Sequence, residues 1–75
     1  MYHPIEFCTG FTADVEISPR QRLERVRVRK GLRVYAHLLP YMVETAQCPV
    51  EVADLCFEDG SVTRQIPYGN FRFLE

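Results

Sequence analysis

Apolar and polar residues alternate with a period of two along much of the chain, and this is the pattern of half-buried β-strands. Residues 13–17, 24–29 and 32–38 all follow it. The polar positions of 13–17 are acidic, whereas those of 24–29 are mostly basic. Ser18 and Pro19 end the first of these predicted strands, because proline has no amide hydrogen to give to a sheet. The pattern predicts a mostly β fold.

The second and third of these strands are predicted to form a hairpin. A three-residue loop of Arg29, Lys30 and Gly31, with the glycine in the left-handed position of a G1-type bulge, pairs Val28 with Leu32. One face of the hairpin is then apolar, because alternate side chains of a strand point to opposite sides of the sheet. The other face is predicted to carry Arg25, Arg27, Arg33, Tyr35 and His37, with Arg29 and Lys30 at the tip.

The strand predicted at 50–57 changes phase in its middle. Its first apolar residues are valines in one phase, and its last are a leucine and a phenylalanine in the other, which predicts a bulge near Ala53 and Asp54. Before it, Pro40 is predicted to break the preceding strand, leaving residues 41–44 as a short strand or turn.

Asp59 and Gly60 form the strongest short hairpin signal in the chain. A two-residue turn at this point sends the next strand back antiparallel and sets Phe57 opposite Val62. Residues 67–70 then predict a tight turn before a last short strand.

The predicted elements are five or six short strands, a bent strand, the Asp59-Gly60 hairpin and a closing turn at 66–71. Together they resemble the small SH3-like barrels, such as KOW, Tudor or Sm-type modules. The resemblance covers roughly residues 24–74 and rests on the pattern of strands and turns. It implies a small antiparallel barrel that works as a binding module for protein or nucleic acid.

A winged helix with a C-terminal hairpin is the alternative fold. Residues 18–21 have the features of a helix start: Ser18 as the cap, Pro19 in the first turn and Gln21 three residues after the cap. This start favours a first helix over 22–30, followed by a second over 35–45. The first helix would scatter its valines between arginines instead of aligning them on one face. The mostly β interpretation is therefore preferred.

Composition places the chain among small folded domains. It has 75 residues, of which 47% are hydrophobic and 25% charged, so we expect one domain over residues 1–75, with residues 1–12 as a candidate for a loosely ordered segment. The N-terminus lacks a basic region followed by an apolar stretch, and no apolar run is long enough to cross a bilayer. These features predict a cytoplasmic protein without a membrane partner.

Candidate catalytic and metal-binding residues are few. The chain has three cysteines, Cys8, Cys48 and Cys56, which is an odd number, and they lack the spacing of zinc ligands. Adding the two histidines, His3 and His37, does not complete such a spacing. The chain has no phosphate-binding loop, dinucleotide fingerprint, zinc-protease motif or nucleophile elbow. We therefore expect free thiols, no cofactor, no metal and no enzyme activity, with a nucleophilic cysteine beside His37 as the remaining catalytic alternative.

Charge is divided unevenly along the chain, although its net value is only −1. Residues 19–37 contain seven basic residues against Glu24 alone, which gives +6. The first eighteen residues contain three acids and no base, and residues 38–75 contain six acids and two bases. Such asymmetry predicts a charged partner and carries no information about the fold.

The basic hairpin face is the predicted binding site. Its arginines favour a protein partner, including a second copy of the chain that docks its acidic part. RNA or DNA is the alternative, because guanidinium groups bind phosphates and Tyr35 is able to stack on a base. A third interpretation gives the face no partner, since charges also protect sheet edges from aggregation. Tyr68, in the closing turn, is predicted to line a partner groove.

Overall fold

The computed structural model describes residues 1–17 and 22–75, which form one antiparallel sheet of seven strands. The strands are β1 (His3–Phe7), β2 (Phe11–Ile17), β3 (Arg22–Val28), β4 (Arg33–Val43), β5 (Val50–Phe57), β6 (Val62–Pro67) and β7 (Phe71–Phe73). A single 3₁₀ turn, Tyr68–Asn70, joins β6 to β7. The mostly β fold class is confirmed. The helices of the winged-helix alternative are absent from 22–45, and its helix-start signal at 18–21 lies outside the described residues.

The strand order within the described residues is β3-β2-β6-β5-β4-β1-β7. This sheet has two edges, β3 and β7, and is not a closed barrel, and its seven strands exceed the five or six that were predicted. The extra strand is β1, which comes from the segment that we expected to be loosely ordered.

β1 is instead held on both sides, because it pairs with β4 and with β7. Ile5 lies opposite Val34 on one side and Phe73 on the other. The side chains of Ile5 and Phe7 are 0% and 3% exposed. Two apolar residues in alternate positions are thus sufficient to place this short strand in the core.

The predicted pairing of β3 with β4 is wrong, and so is the three-residue loop that set Val28 opposite Leu32, although a turn with a left-handed Gly31 does form between the two strands. Gly31 has φ +92°, and the Leu32 amide donates to the Arg29 carbonyl at 3.1 Å. The outward backbone groups of this turn bind β1, since the Phe7 amide donates to the Leu32 carbonyl at 2.9 Å. β3 pairs with β2, setting Val28 opposite Phe11. Alternation identifies the apolar face of a strand but not its neighbour.

Pro40 does not end β4, which continues from Arg33 to Val43. Beyond Ala36, β4 has β5 as its only partner strand among the described residues. A position with one free side tolerates proline, because no second neighbour needs its missing amide hydrogen.

The bulge predicted near Ala53 and Asp54 is confirmed, and its extra residue belongs to β6. Ala53 pairs with Ile66 and Leu55 with Thr63, so Asp54 alone lies opposite Arg64 and Gln65. Gln65 has φ +58°, the left-handed conformation that a bulge of this kind requires.

The Asp59-Gly60 hairpin is confirmed with a register one residue away from the prediction. Cys56, not Phe57, lies opposite Val62. The Phe57 amide donates to the Ser61 carbonyl at 2.9 Å, and Gly60 has φ +90°, so the loop has three residues and a G1-type bulge. Asp59 accepts hydrogen bonds from the Ser61 amide and hydroxyl, which stabilise this longer loop and lower the pKa of Asp59.

One hydrophobic core takes a residue from every strand. Its buried members are Ile5, Phe7, Ala13, Val28, Ala36, Ala53, Leu55, Ile66 and Phe71. Three of them are alanines, so close approach of the strands matters as much as side-chain bulk in filling this core.

Candidate partner-binding surface

β3 is an edge strand, and almost all of its residues are exposed. Six of its seven residues are exposed, and Val28 alone is buried. All seven residues pair with β2, and no other described strand lies on the opposite side of β3. Its main-chain donors and acceptors on that side are consequently open to solvent or to a partner.

The two faces of β3 differ in chemistry. Val26 and Val28 lie opposite Ala13 and Phe11, and their exposure is 37% and 7%. Arg25 lies opposite Asp14, and Arg27 opposite Thr12, on the other face. Over residues 25–28 the strand therefore offers an apolar stripe toward the core and a basic stripe away from it.

We call Arg25, Arg27, Arg29 and Lys30 the basic edge. Arg25 forms an ion pair with Asp14 at 3.3 Å, in which the two side chains are 76% and 58% exposed. Exposed pairs of this kind contribute about 0–1 kcal/mol. The other three residues form no ion pair with any carboxylate of the described residues. The basic edge thus carries positive charge that the described part of the chain does not balance.

Arg33, Tyr35 and His37 do not lie beside Arg25 and Arg27, so the predicted single face is wrong. They belong to β4, which is separated from β3 by three strands in the sheet order. The error follows from the β3–β4 pairing on which the face depended. Arg33 contacts Glu6, Tyr35 is 57% exposed, and His37 Nδ1 lies 2.9 Å from the Met1 carbonyl oxygen.

Glu6 balances two arginines across three strands. It lies directly opposite Arg33 in β4 and Arg72 in β7. Arg33 Nε is 3.3 Å from Glu6 Oε2, and Arg72 Nε is 2.8 Å from Oε1. The hydrogen bond from Arg72 is the largest cause that lowers the pKa of Glu6, and the hydrogen bond from Arg33 lowers it further. Partial burial raises this pKa, but by less than the two arginines together lower it.

The lowered pKa of Glu6 predicts a loss of stability in acid. The folded state holds this carboxylate ionised more strongly than the unfolded chain, so its contribution is complete above the ordinary pKa of about 4.3 and is lost as pH falls through the folded value. Glu6→Gln should lower the urea midpoint at about pH 7 and reduce the wild-type drop between about pH 5 and pH 3. Glu44→Gln, at an exposed loop position, is the control. An equal acid drop in wild type and Glu6→Gln would contradict this role.

Tyr68 lines a cleft of about 400 Å³ together with His37, His3 and Phe73. Its ring centroid is 5.2 Å from that of Phe71. Burial raises the pKa of Tyr68, and the charge of Glu51 adds to the shift. The structure thus brings together Tyr68 and His37, which the sequence placed at separate sites.

A polar cluster at the β5–β6 bulge was not predicted. Asp54 accepts hydrogen bonds from the Tyr41 hydroxyl at 2.8 Å, the Gln65 amide at 3.1 Å and Arg64 Nη1 at 3.0 Å. Arg64 Nε also donates to Glu16 at 2.5 Å. Burial raises the pKa of Tyr41, and its hydrogen bond to Asp54 adds to the rise. The phase change at Ala53 and Asp54 signals the bulge, but not the carboxylate that satisfies its donors.

The three cysteines are free, with Cys8 and Cys48 exposed and Cys56 half-buried. Cys56 lies directly opposite His37 in the β4–β5 ladder, and no hydrogen bond joins the two. Among the described residues, no group of three or more histidine, cysteine, aspartate or glutamate side chains is arranged to hold a metal ion. The described part of the chain also contains no helix with the length and apolar character needed to span a membrane.

Comparison of the chain with protein-family models, with curated proteins and with solved structures found no match.

Proposed function

We propose that this protein is a non-catalytic binding module that recognises an acidic protein partner through β3 and the basic edge. The observation that carries the proposal is an exposed edge strand that bears Arg27 and leads into Arg29 and Lys30 of the next turn, three cations that lack ion-pair partners among the described residues. Uncompensated charge on an exposed surface attracts an oppositely charged partner and speeds its association.

The SH3-like interpretation of the fold belongs to the same proposal. It is supported by the bulged β5–β6 pair, the hairpin at Asp59 and Gly60, and the 3₁₀ turn Tyr68–Asn70 before the last strand. The cleft beside Tyr68 offers a second surface to a partner. Three free thiols favour a reducing, cytoplasmic location.

A protein partner is favoured over RNA or DNA by the position of the aromatic residues. The nucleic-acid alternative depends on a base-stacking side chain interleaved with phosphate-binding arginines. Tyr35 and His37, which were to supply that stacking, lie on β4, whereas Arg25 and Arg27 lie on β3. The basic edge consequently combines cations with a free strand edge, and a strand edge suits polypeptide.

The test is a titration with a blocked polyglutamate peptide and with single-stranded RNA and DNA oligonucleotides at two salt concentrations. We expect the peptide to bind, and Arg25→Gln with Arg27→Gln to weaken its affinity at least about tenfold. Ala46→Glu with Gln47→Glu, in an exposed loop, changes the net charge by the same amount elsewhere and should retain most of the affinity.

Equal peptide affinities in wild type and the double arginine variant would overturn the proposal. Tighter binding of an oligonucleotide than of the peptide at the same salt concentration would overturn it in favour of the nucleic-acid alternative. Circular dichroism of each variant confirms that it is folded before its affinity is compared.

A further inference from the structure

The open side of β3 has the geometry needed to accept another strand. In an antiparallel ladder, alternate residues of an edge strand direct their amide and carbonyl groups away from the sheet. β3 has seven residues and contains no proline, so none of its outward amide positions lacks a hydrogen. The other sheet edge, β7, has only three residues.

β2 shows which side chains β3 accepts from a neighbour. Asp14 lies opposite Arg25, and Ala13 lies opposite Val26. β2 therefore alternates acidic or polar residues over the basic stripe with apolar residues over the valines. A strand added to the open side meets the same two stripes, and it would cover Val26, which is 37% exposed.

A second copy of β3 is a poor occupant of this edge. Full antiparallel overlap of two copies about a two-fold axis sets Arg25 opposite Arg25. A shift centred on Glu24 sets glutamate opposite glutamate, and a shift centred on Val26 sets Arg25 opposite Arg27 twice. Like charges directly opposite each other destabilise a strand pair, so each of these registers is disfavoured.

We propose that β3 binds an extended acidic segment of a partner protein by strand addition, and that the segment alternates acidic with apolar residues. This inference rests on the proposed function and specifies its partner. Main-chain hydrogen bonds provide the attachment, while Arg25 and Arg27 select carboxylates on one face.

The test uses the blocked peptide Val-Asp-Val-Glu-Val-Asp-Val, which matches the seven residues of β3 in length. Two further peptides have the same side chains, with N-methyl groups on the odd-numbered or on the even-numbered amides. Only one of these two sets faces β3 in an added strand, so we expect one methylated peptide to lose at least about tenfold in affinity and the other to bind nearly as the parent. Alternate β3 amides should become protected from hydrogen exchange in the complex.

The outcomes separate this inference from the proposed function. Equal binding by both methylated peptides would overturn strand addition and leave an acidic partner in place. A second outcome is that the parent peptide fails to bind while polyglutamate still binds and loses affinity in the Arg25→Gln, Arg27→Gln variant. That result would also overturn strand addition alone. Failure of both kinds of peptide would overturn the proposed function with it. A dimer of the free protein in which alternate β3 amides are already protected from hydrogen exchange would assign the edge to a second copy instead.

Discussion

Replacing Ile5 with alanine is expected to lower the free energy of unfolding by about 2–5 kcal/mol. Ile5 is fully buried and lies between Val34 and Phe73 in a strand that is paired on both sides. Truncation removes apolar contact with two strands and leaves a cavity that the flanking backbone ladders prevent from closing. Small domains have a total stability on the order of 5 kcal/mol, so the variant should retain about 0–3 kcal/mol, and at the larger loss about half of it should be unfolded at room temperature. Urea unfolding followed by circular dichroism measures the effect.

Leu23→Ala is the matched control for Ile5→Ala. Leu23 is 65% exposed on β3, and its truncation should change the free energy of unfolding by less than about 0.5 kcal/mol. If the two variants unfold at similar urea concentrations, β1 is not a central strand of the folded protein.

Asp54→Ala is expected to lower the free energy of unfolding by about 1–3 kcal/mol, because it removes three hydrogen bonds to one carboxylate at once, each of which contributes on the order of 1 kcal/mol. The Asp54 side chain is only 13% exposed. Its removal takes the protein acceptor at the bulge from the Tyr41 hydroxyl, the Gln65 amide and Arg64 Nη1, which are then hydrated instead. Thermal or urea unfolding of the variant measures the loss.

Two variants control for this prediction. Asp14→Ala removes a carboxylate from an exposed ion pair and should cost about 0–1 kcal/mol. Gln65→Gly retains the backbone amide that donates to Asp54 and suits the φ of +58° better than glutamine. It should leave stability unchanged or raise it. A loss in Asp54→Ala no larger than that in Asp14→Ala would show that the bulge does not depend on its carboxylate.

Much of the local structure could be predicted, because it depends on near neighbours in the chain. The alternation in 13–17 identifies a half-buried strand, and the structure places β2 there. Gly31 and Gly60 identify turns, and both have positive φ. The phase change near Ala53 locates the bulge. In each case the sequence separation of the interacting residues is small.

The strand neighbours could not be predicted in the same way. β3 and β4 share an apolar phase and are joined by a turn, which favoured a hairpin, yet β3 has β2 as its neighbour. β2, β3, β4 and β5 all present apolar residues in alternate positions, so several pairings satisfy the same pattern. The candidate site inherited this error. The exposure of Arg25 and Arg27 was predictable from their polar phase, whereas their grouping with Tyr35 required the strand order.

The acids of the N-terminal segment explain why the charge of the basic edge stays unbalanced. Glu6 forms ion pairs with Arg33 and Arg72, and Glu16 forms one with Arg64. Asp14 alone of these acids pairs with a member of the basic edge, Arg25. Arg33, Arg64 and Arg72 are thus neutralised, whereas Arg27 at the β3 edge and Arg29 and Lys30 in the turn beside β1 form no ion pair among the described residues.

β1 is completed only by strands that follow it at a distance in the chain. Ile5 pairs with Val34 and with Phe73, so the first strand cannot acquire its second neighbour until the last one has been brought beside it. Closing such long loops costs entropy before the contacts repay it, and sheets dominated by distant pairings fold in milliseconds to seconds. We therefore expect the described residues to fold slowly and in one cooperative step. The pairing of β7 with β1 should form near the end of that step.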